Sequence, residues 1–228
     1  MSYKREKIIE ENTDIKLRLI PRRNFDRVLD LGCSDGVISE KIKNITKSKI
    51  IGVDNCPERY NLAIKKGIEV KEGDVKQRLL FEDNSFDLVF AGEIIEHVLS
   101  PDDVLLEIRR VLKKDGILVL TTPNLASWHN RLLLLFGVMP YSSEVSVKNA
   151  QIGMGILKRI KNPKPAGHIR VFTLGALLDM LKMYGFTIDK VKGRPTDYLP
   201  YPFRFIEKII SLFPSLASGI VVRCTNIK

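Results

Sequence analysis

The stretch Arg27-Val28-Leu29-Asp30-Leu31-Gly32-Cys33-Ser34-Asp35-Gly36 decides the fold. Val28, Leu29 and Leu31 make a short apolar run bounded by polar and breaker residues, the pattern of a central strand buried on both faces. Gly32 ends the run, and Ser34, Asp35 and Gly36 lead into Val37-Ile38-Ser39-Glu40-Lys41-Ile42, whose apolar positions have helical spacing. A strand that passes through a tight glycine turn into a helix N-terminus leaves backbone N–H groups unpaired and lets a ligand approach the main chain. The reading is a nucleotide-type binding loop. The alternative is an α/β fold in which the glycine turn only shortens a connection.

The details narrow the ligand. A dinucleotide fingerprint requires Gly-x-Gly-x-x-Gly, but from Gly32 its positions hold Gly32, Ser34 and Val37, a poor match. Asp30-Leu31-Gly32-Cys33-Ser34-Asp35-Gly36 instead resembles the first motif of class I S-adenosylmethionine-dependent methyltransferases, acidic-x-Gly-x-Gly-x-Gly. Asp30, Gly32 and Gly36 match, and Ser34 replaces the middle glycine. In that family the loop packs against the methionine part of the cofactor. The resemblance therefore implies cofactor contacts at Asp30, Gly32, Cys33, Ser34 and Gly36.

A second apolar run, Lys49-Ile50-Ile51-Gly52-Val53-Asp54, ends in an acid 54 − 32 = 22 residues after Gly32. An acid at that distance, on the end of the neighbouring strand, can accept both ribose hydroxyls of a bound nucleoside. Asp54 and the adjoining Asn55 are assigned to the cofactor on this basis, and a strand-end aspartate that caps the helix after Pro57 is the alternative. A helix Pro57–Lys66 and a strand Ile68–Lys71 follow. Glu72-Gly73-Asp74-Val75 resembles the family's Gly-Asp segment, which implies that Asp74 accepts from the adenine amino group while Val75 packs on the ring. Asp74 as a plain turn residue stays open.

Phe86-Asp87-Leu88-Val89-Phe90 reads as a fourth buried strand, and its exit carries Glu93-Ile94-Ile95-Glu96-His97. Phe-Asp-Leu-Val followed by Glu-x-x-Glu-His resembles the fourth motif of the branch that includes the ubiquinone-biosynthesis O-methyltransferases. With it, the ordered motifs run from Asp30 to about Asn124. The resemblance implies an α/β fold with a doubly wound, mostly parallel seven-stranded sheet, an antiparallel last strand beside the fifth, and Glu93 facing the cofactor.

The remaining elements follow from periodicity. Lys4 to Ile20 reads as a helix stopped by Pro21. Asp102–Leu112 is a helix, Lys113–Gly116 a turn, and Ile117–Thr121 the fifth strand. Thr173–Tyr184 is a helix capped by Thr173 and closed by Gly185, Phe186–Val191 a strand, Pro202–Leu212 a helix, and Gly219–Cys224 the last strand. Between these, from about 125 to 170, the helix–strand rhythm lapses in an apolar insertion with Trp128, Leu132 to Phe136, Met139 and Tyr141. Long connections of this kind in compact domains tend to be functional covers. The insertion is read as a substrate lid, with a peripheral membrane-contact patch or a plain helical addition as the other readings.

The chain of 228 residues, 44% hydrophobic and 28% charged, is long enough for one domain over 1–228 to bury a full core. Cys33, Cys56 and Cys224 are too few and too scattered for a disulfide framework or zinc site, and no apolar leader is visible, so the expected location is the cytoplasm. No stretch reads as a membrane span. The net charge of +10 is spread along the chain, with no arginine-rich tract or interleaved aromatics. It reads as a solvated basic surface before it reads as a nucleic-acid interface.

The chain has three histidines, His97, His129 and His168. His97, just past the fourth strand, and His168, where the insertion returns to the core, are the candidate catalytic bases; His129 beside Trp128 is read as structural. A helical turn begun at Glu93 would put Glu93, Glu96 and His97 on one face. With His168 they would make a mixed oxygen–nitrogen site suited to Mg²⁺ or Mn²⁺. That set resembles small-RNA 3′-end ribose 2′-O-methyltransferases, whose RNA-binding apparatus is not evident in this sequence. The functional expectation is S-adenosylmethionine-dependent methyl transfer to a hydroxyl of a small, lipid-linked or glycan-linked acceptor. A metal-assisted RNA methyltransferase, a non-catalytic cofactor-binding module and a nucleotide-dependent oxidoreductase are the alternatives.

Overall fold

Strands β1 (Arg27–Leu31), β2 (Lys49–Asp54), β3 (Glu69–Glu72), β4 (Phe86–Gly92), β5 (Leu112–Pro123), β6 (Phe186–Arg194) and β7 (Gly219–Asn226) form one sheet in the order β3-β2-β1-β4-β5-β7-β6. The computed structural model describes residues 13–159, 161–196 and 201–228. β7 runs antiparallel to both β5 and β6, while β1 to β5 pair in parallel. This is the mostly parallel, doubly wound sheet with an antiparallel last strand that the motifs imply.

Alternation along β1 explains why both faces are covered. Leu29 and Leu31 point into one core with Ile51, Val89 and Leu118, packed under Val104, Leu105, Ile108, Leu177 and Leu181. Val28 points into the opposite core with Ile50, Leu88 and Val119, under Ile42 and Ala63. The helices that supply these residues are α1 (Val37–Thr46), α2 (Pro57–Lys65), α3 (Pro101–Val111) and α5 (Leu174–Met183). Val28 and Leu29 are fully buried, and burying each such side chain contributes about 1.5–3 kcal/mol. A polar residue at either would leave one core open.

Local signals fix the helix ends. Thr173 accepts from Ala176 N–H, as the sequence predicts, and Ser100 accepts from Asp103 N–H ahead of Pro101, a cap that starts the helix expected at Asp102 one residue earlier. Lys113–Gly116 is not a turn between elements but a bulge inside β5: pairing with β4 jumps from Phe86↔Leu112 to Leu88↔Ile117, with Asp115 at φ 60°. Of the helix expected over residues 4–20, residues 4–12 lie outside the described residues. Residues 13–17 are helical, with a turn before Pro21, and Leu17, Leu19 and Ile20 pack into the Val28 core. The helix expected at Pro202–Leu212 is α6 (Tyr201–Ile210).

Between β5 and α5 the chain leaves the sheet. It forms α4 (Trp128–Leu135), a run of turns and a 3-10 helix, Gly155–Arg159. It returns at Ile169 and Arg170, whose N–H groups both donate to Glu96 O, at 2.7 and 3.1 Å. Leu125 N–H donates to Phe172 O at 2.8 Å, closing the base of the insertion. No helix among the described residues is long and apolar enough to cross a membrane.

Candidate active site

In sheet order β1 sits between β2 and β4, so the crossover connections diverge there, and open α/β sheets leave a crevice at the carboxyl ends of such strands. A groove of about 470 Å³ occupies this place, lined by Gly32 and Ser34 after β1, Asp54 and Asn55 after β2, Asp74 and Val75 after β3, and Glu93, Ile94 and His97 after β4.

The glycine loop is shaped by its neighbours. Gly32 has φ 75°, and a Cβ there would lie 2.2 Å from Ile94 Cδ1. Ser34 takes φ 50° without being a glycine, a conformation that costs an ordinary side chain about 1–2 kcal/mol. Its N–H donates to Asp54 Oδ2 at 2.9 Å, and Cys56 N–H donates to Oδ1 at 2.9 Å. Both oxygens of Asp54 are thereby oriented, with their remaining lone pairs available at the groove. Asp74 accepts from Lys76 N–H through Oδ1, so it caps a turn and lines the groove together.

Three assigned residues lie behind the loop. Asp30 is buried and accepts from Ser39 Oγ at 2.5 Å; burial and the Asp54 charge outweigh that bond and push its carboxyl up to about 7. Cys33 packs beneath Gly52, where a Cβ would meet its Sγ at 2.5 Å, and burial pushes its thiol up to about 12. Gly36, at φ 77°, lets α1 approach Ala63.

A second cavity of about 490 Å³ adjoins the groove, with Glu93 and Ala166 lining both. Tyr141, Ser142, Glu144, Lys161, Lys164, His168 and Arg194 line this second cavity. His97 lines the groove and His168 the second cavity, with ring centroids 5.0 Å apart. His97 Nδ1 lies 3.0 Å from Gly167 O and His168 Nδ1 lies 2.8 Å from Ser142 O. A carbonyl only accepts, so each Nδ1 carries a proton, and the lone pair of the neutral ring is on Nε2. Burial holds the His97 imidazolium below its usual range, against the opposing Gly167 hydrogen bond.

The helical face expected for Glu93, Glu96 and His97 does not form. Glu93 has φ 56°, and the turn that follows is a 3-10 helix over Ile95–His97. Glu93 instead accepts from Thr121 Oγ1 at 2.6 Å and pairs with Arg194 Nη2 at 3.2 Å and Lys16 Nζ at 3.4 Å. Burial opposes its ionisation, but these two cations and Thr121 prevail and hold it at about 2. Glu96 is fully buried; its Oε2 accepts from Thr122 Oγ1 at 3.0 Å, and its Oε1 makes no hydrogen bond but lies 3.9 Å from His97 Nε2. Burial and the Glu93 charge push it up to about 8. Among the described residues, Glu96, His97 and His168 bring ligand atoms within 4.8 Å of one another.

Sequence reasoning missed Arg194, Lys16 and Lys161. None belongs to a motif, and only the β6 terminus, the helical segment 13–17 and the insertion bring them to the site. His129 is buried between Ser127 Oγ and Ser218 Oγ, at 3.2 and 3.4 Å; it lines neither cavity itself, but Ser218 lines the second.

A methyltransferase-domain family model matches residues 3–191. The chain belongs to the methyltransferase-domain family, as a domain of the class I, S-adenosylmethionine-dependent type. It is 37% identical over 98 residues to sterol 24-C-methyltransferase erg6 of Schizosaccharomyces pombe, covering 40% of this chain and 26% of that protein. It is 32% identical over 136 residues to the ubiquinone biosynthesis O-methyltransferase of Pelagibacter ubique, covering 54% and 51%. The matched part of this chain thus spans about a quarter to a half of such relatives' length. A chain of the complex between the Haloferax volcanii Trm112 methyltransferase activator and its methyltransferase superposes with TM-score 0.68 at 16% identity, covering 99% and 94%. An S-adenosylmethionine-dependent methyltransferase of Thermotoga maritima gives 0.64 at 19% identity, covering 97% and 90%.

Proposed function

We propose that the protein transfers a methyl group from S-adenosylmethionine, held in the groove, to a hydroxyl of a small, lipid-linked or glycan-linked acceptor in the second cavity. The observation that carries this reading is the junction of the two cavities at Glu93, with His97 on one side and His168 on the other. In this reading Asp54 accepts the ribose hydroxyls, Asp74 and Val75 meet the adenine, and Gly32 and Ser34 leave room for the methionine part. The insertion at 125–170 is the acceptor's cover, within one domain over 1–228.

The sulfonium methyl is already an activated electrophile. The chain's task is to hold the acceptor oxygen in line and exclude water, which supplies up to about 7–11 kcal/mol. An Nε2 lone pair on His97 or His168 takes the hydroxyl proton, a contribution of about 10²–10⁴-fold. The three free thiols, Cys33, Cys56 and Cys224, support a reducing cytoplasmic location. Exposed Leu135, Phe136, Phe205 and Leu212 support contact with a membrane surface over contact with nucleic acid.

A second reading is favoured by Glu96 Oε1, which makes no hydrogen bond and faces His97 Nε2 at 3.9 Å. Each histidine donates Nδ1–H to a carbonyl, as metal-bound histidines do, and the set offers one oxygen and two nitrogens. Glu96, His97 and His168 would hold Mg²⁺ or Mn²⁺, which would act as a Lewis acid on the acceptor hydroxyl.

Thermal unfolding tests the cofactor: S-adenosylmethionine or S-adenosylhomocysteine should raise the melting temperature and NAD or NADP should not. Transfer of a labelled methyl group into cell extract then identifies the acceptor. A shift with NAD alone would overturn the reading.

A further inference from the structure

Lys161 is only 5% exposed, yet no carboxylate among the described residues pairs with it. Its ammonium donates to Ser143 O at 3.2 Å and sits 5.2 Å from the centroid of the Tyr141 ring. A buried cation is costly unless a negative group compensates it. Glu144, which lines the same cavity, is already engaged by Ala166 N–H and Gly167 N–H, both at 2.9 Å. Glu93, the other acid on this wall, is engaged by Arg194, Lys16 and Thr121. Arg194 in turn has a buried Nε with no partner. Lys164 adds a third cation to the lining. The cavity therefore carries donors and positive charge that the chain's own acids leave uncompensated.

We propose that the second cavity is an oxyanion subsite in which Lys161, with Arg194 and Lys164, binds a phosphate or carboxylate group of the methyl acceptor. This rests on the reading of that cavity as the acceptor site and deepens it. The acceptor is then a hydroxyl compound that also bears an acid group. The anion completes the ammonium's coordination, and its charge orients the acceptor so that the hydroxyl, not the acid, faces His168. Burial lowers the Lys161 ammonium pKa although Glu144 raises it, and a bound anion would restore the charged form. Tyr141 and Pro123 give the apolar part of such a molecule a wall.

The test uses the full chain saturated with S-adenosylhomocysteine, titrated calorimetrically with inorganic phosphate and separately with acetate, at constant ionic strength held with chloride. Wild type should bind one of these anions saturably, and Lys161→Met should weaken that binding at least tenfold while leaving S-adenosylhomocysteine affinity unchanged. A preference for phosphate or for acetate names the acid group. Absence of saturable binding of either anion, or equal binding by Lys161→Met, overturns the subsite. If Lys161→Met does not fold, the exposed Lys164→Met variant decides: weaker anion binding supports the subsite and unchanged binding overturns it. Failure to bind S-adenosylhomocysteine at all would overturn the cofactor reading instead, so the two outcomes are distinct.

Discussion

The backbone N–H of Ser34 donates to Asp54 Oδ2 at 2.9 Å, so the loop after β1 and the end of β2 are one unit before any ligand arrives. Asp54 is thus a prepared acceptor whose orientation is fixed by main chain, and hydrogen bonds to a charged group contribute about 1.5–3 kcal/mol. Asp54→Ala should weaken S-adenosylhomocysteine binding at least tenfold by calorimetry. Because Ser34 and Cys56 lose their partner as well, the variant's melting temperature should be measured in parallel. A folded variant with wild-type affinity would show that Asp54 serves the loop alone.

His97→Ala, or His168→Ala if that ring is the base, should lower turnover by about two orders of magnitude or more while leaving cofactor affinity nearly unchanged. If the histidines act as bases, EDTA should have no effect. If they hold a metal ion, EDTA should mimic the substitutions, and Mg²⁺ or Mn²⁺ should restore the wild type but neither variant. Full activity in both variants would leave positioning as the whole of catalysis.

Asp30 gives a pH dependence with a defined sign. Its folded-state pKa of about 7 lies above the ordinary 3.8, so the folded state favours the protonated acid. Its contribution is fully present below about pH 4 and is lost as pH rises through about 7, at up to about 1.4 kcal/mol per pH unit. Asp30→Asn should therefore gain stability relative to wild type between pH 4 and 8, when both are melted without ligand. A difference that stays flat with pH would show that Asp30 titrates normally.

Glu207 on α6 is fully buried and accepts from Trp128 Nε1, from Ser218 Oγ at 2.5 Å and from Thr196 N–H at 3.2 Å. It joins α4 of the insertion to Ser218, the residue just before β7. Glu207→Ala orphans these donors, each worth about 1–3 kcal/mol when left unsatisfied, and should destabilise the protein by at least about 2 kcal/mol. Trp128 is the chain's single tryptophan, so its emission reports the loss directly. Denaturant melts followed by that emission should shift to lower midpoints, and an unshifted midpoint would remove the clamp.

Where the chain's signal is local, it was legible. The buried β1 run, the Thr173 cap and the place of Asp54 at the end of β2 each follow from neighbours in sequence. The Glu93 turn was misread because i, i+3, i+4 spacing presumes a helix, whereas Thr121, Arg194 and Lys16 hold Glu93 in a left-handed conformation from three distant elements. Lys113–Gly116 carries ordinary turn residues, and only pairing with β4 reveals that the strand continues through them. Arg194 and Lys161 bear no motif at all. Their meaning lies in what surrounds them, the unbonded Nε of one and, for the other, a buried ammonium with no carboxylate partner among the described residues.

Glu93 gathers its contacts from residues 16, 121 and 194, which spread over most of the chain's length. During synthesis, a chain that has emerged only through β5 already possesses the glycine loop, Asp54 and Glu93, but lacks Arg194 and the returning β7 strand. Of the groove's lining only Ala166 is then missing, whereas the second cavity has only Glu93 and Pro123 of its lining. The groove is thus encoded almost wholly before the insertion, and the second cavity almost wholly within and after it.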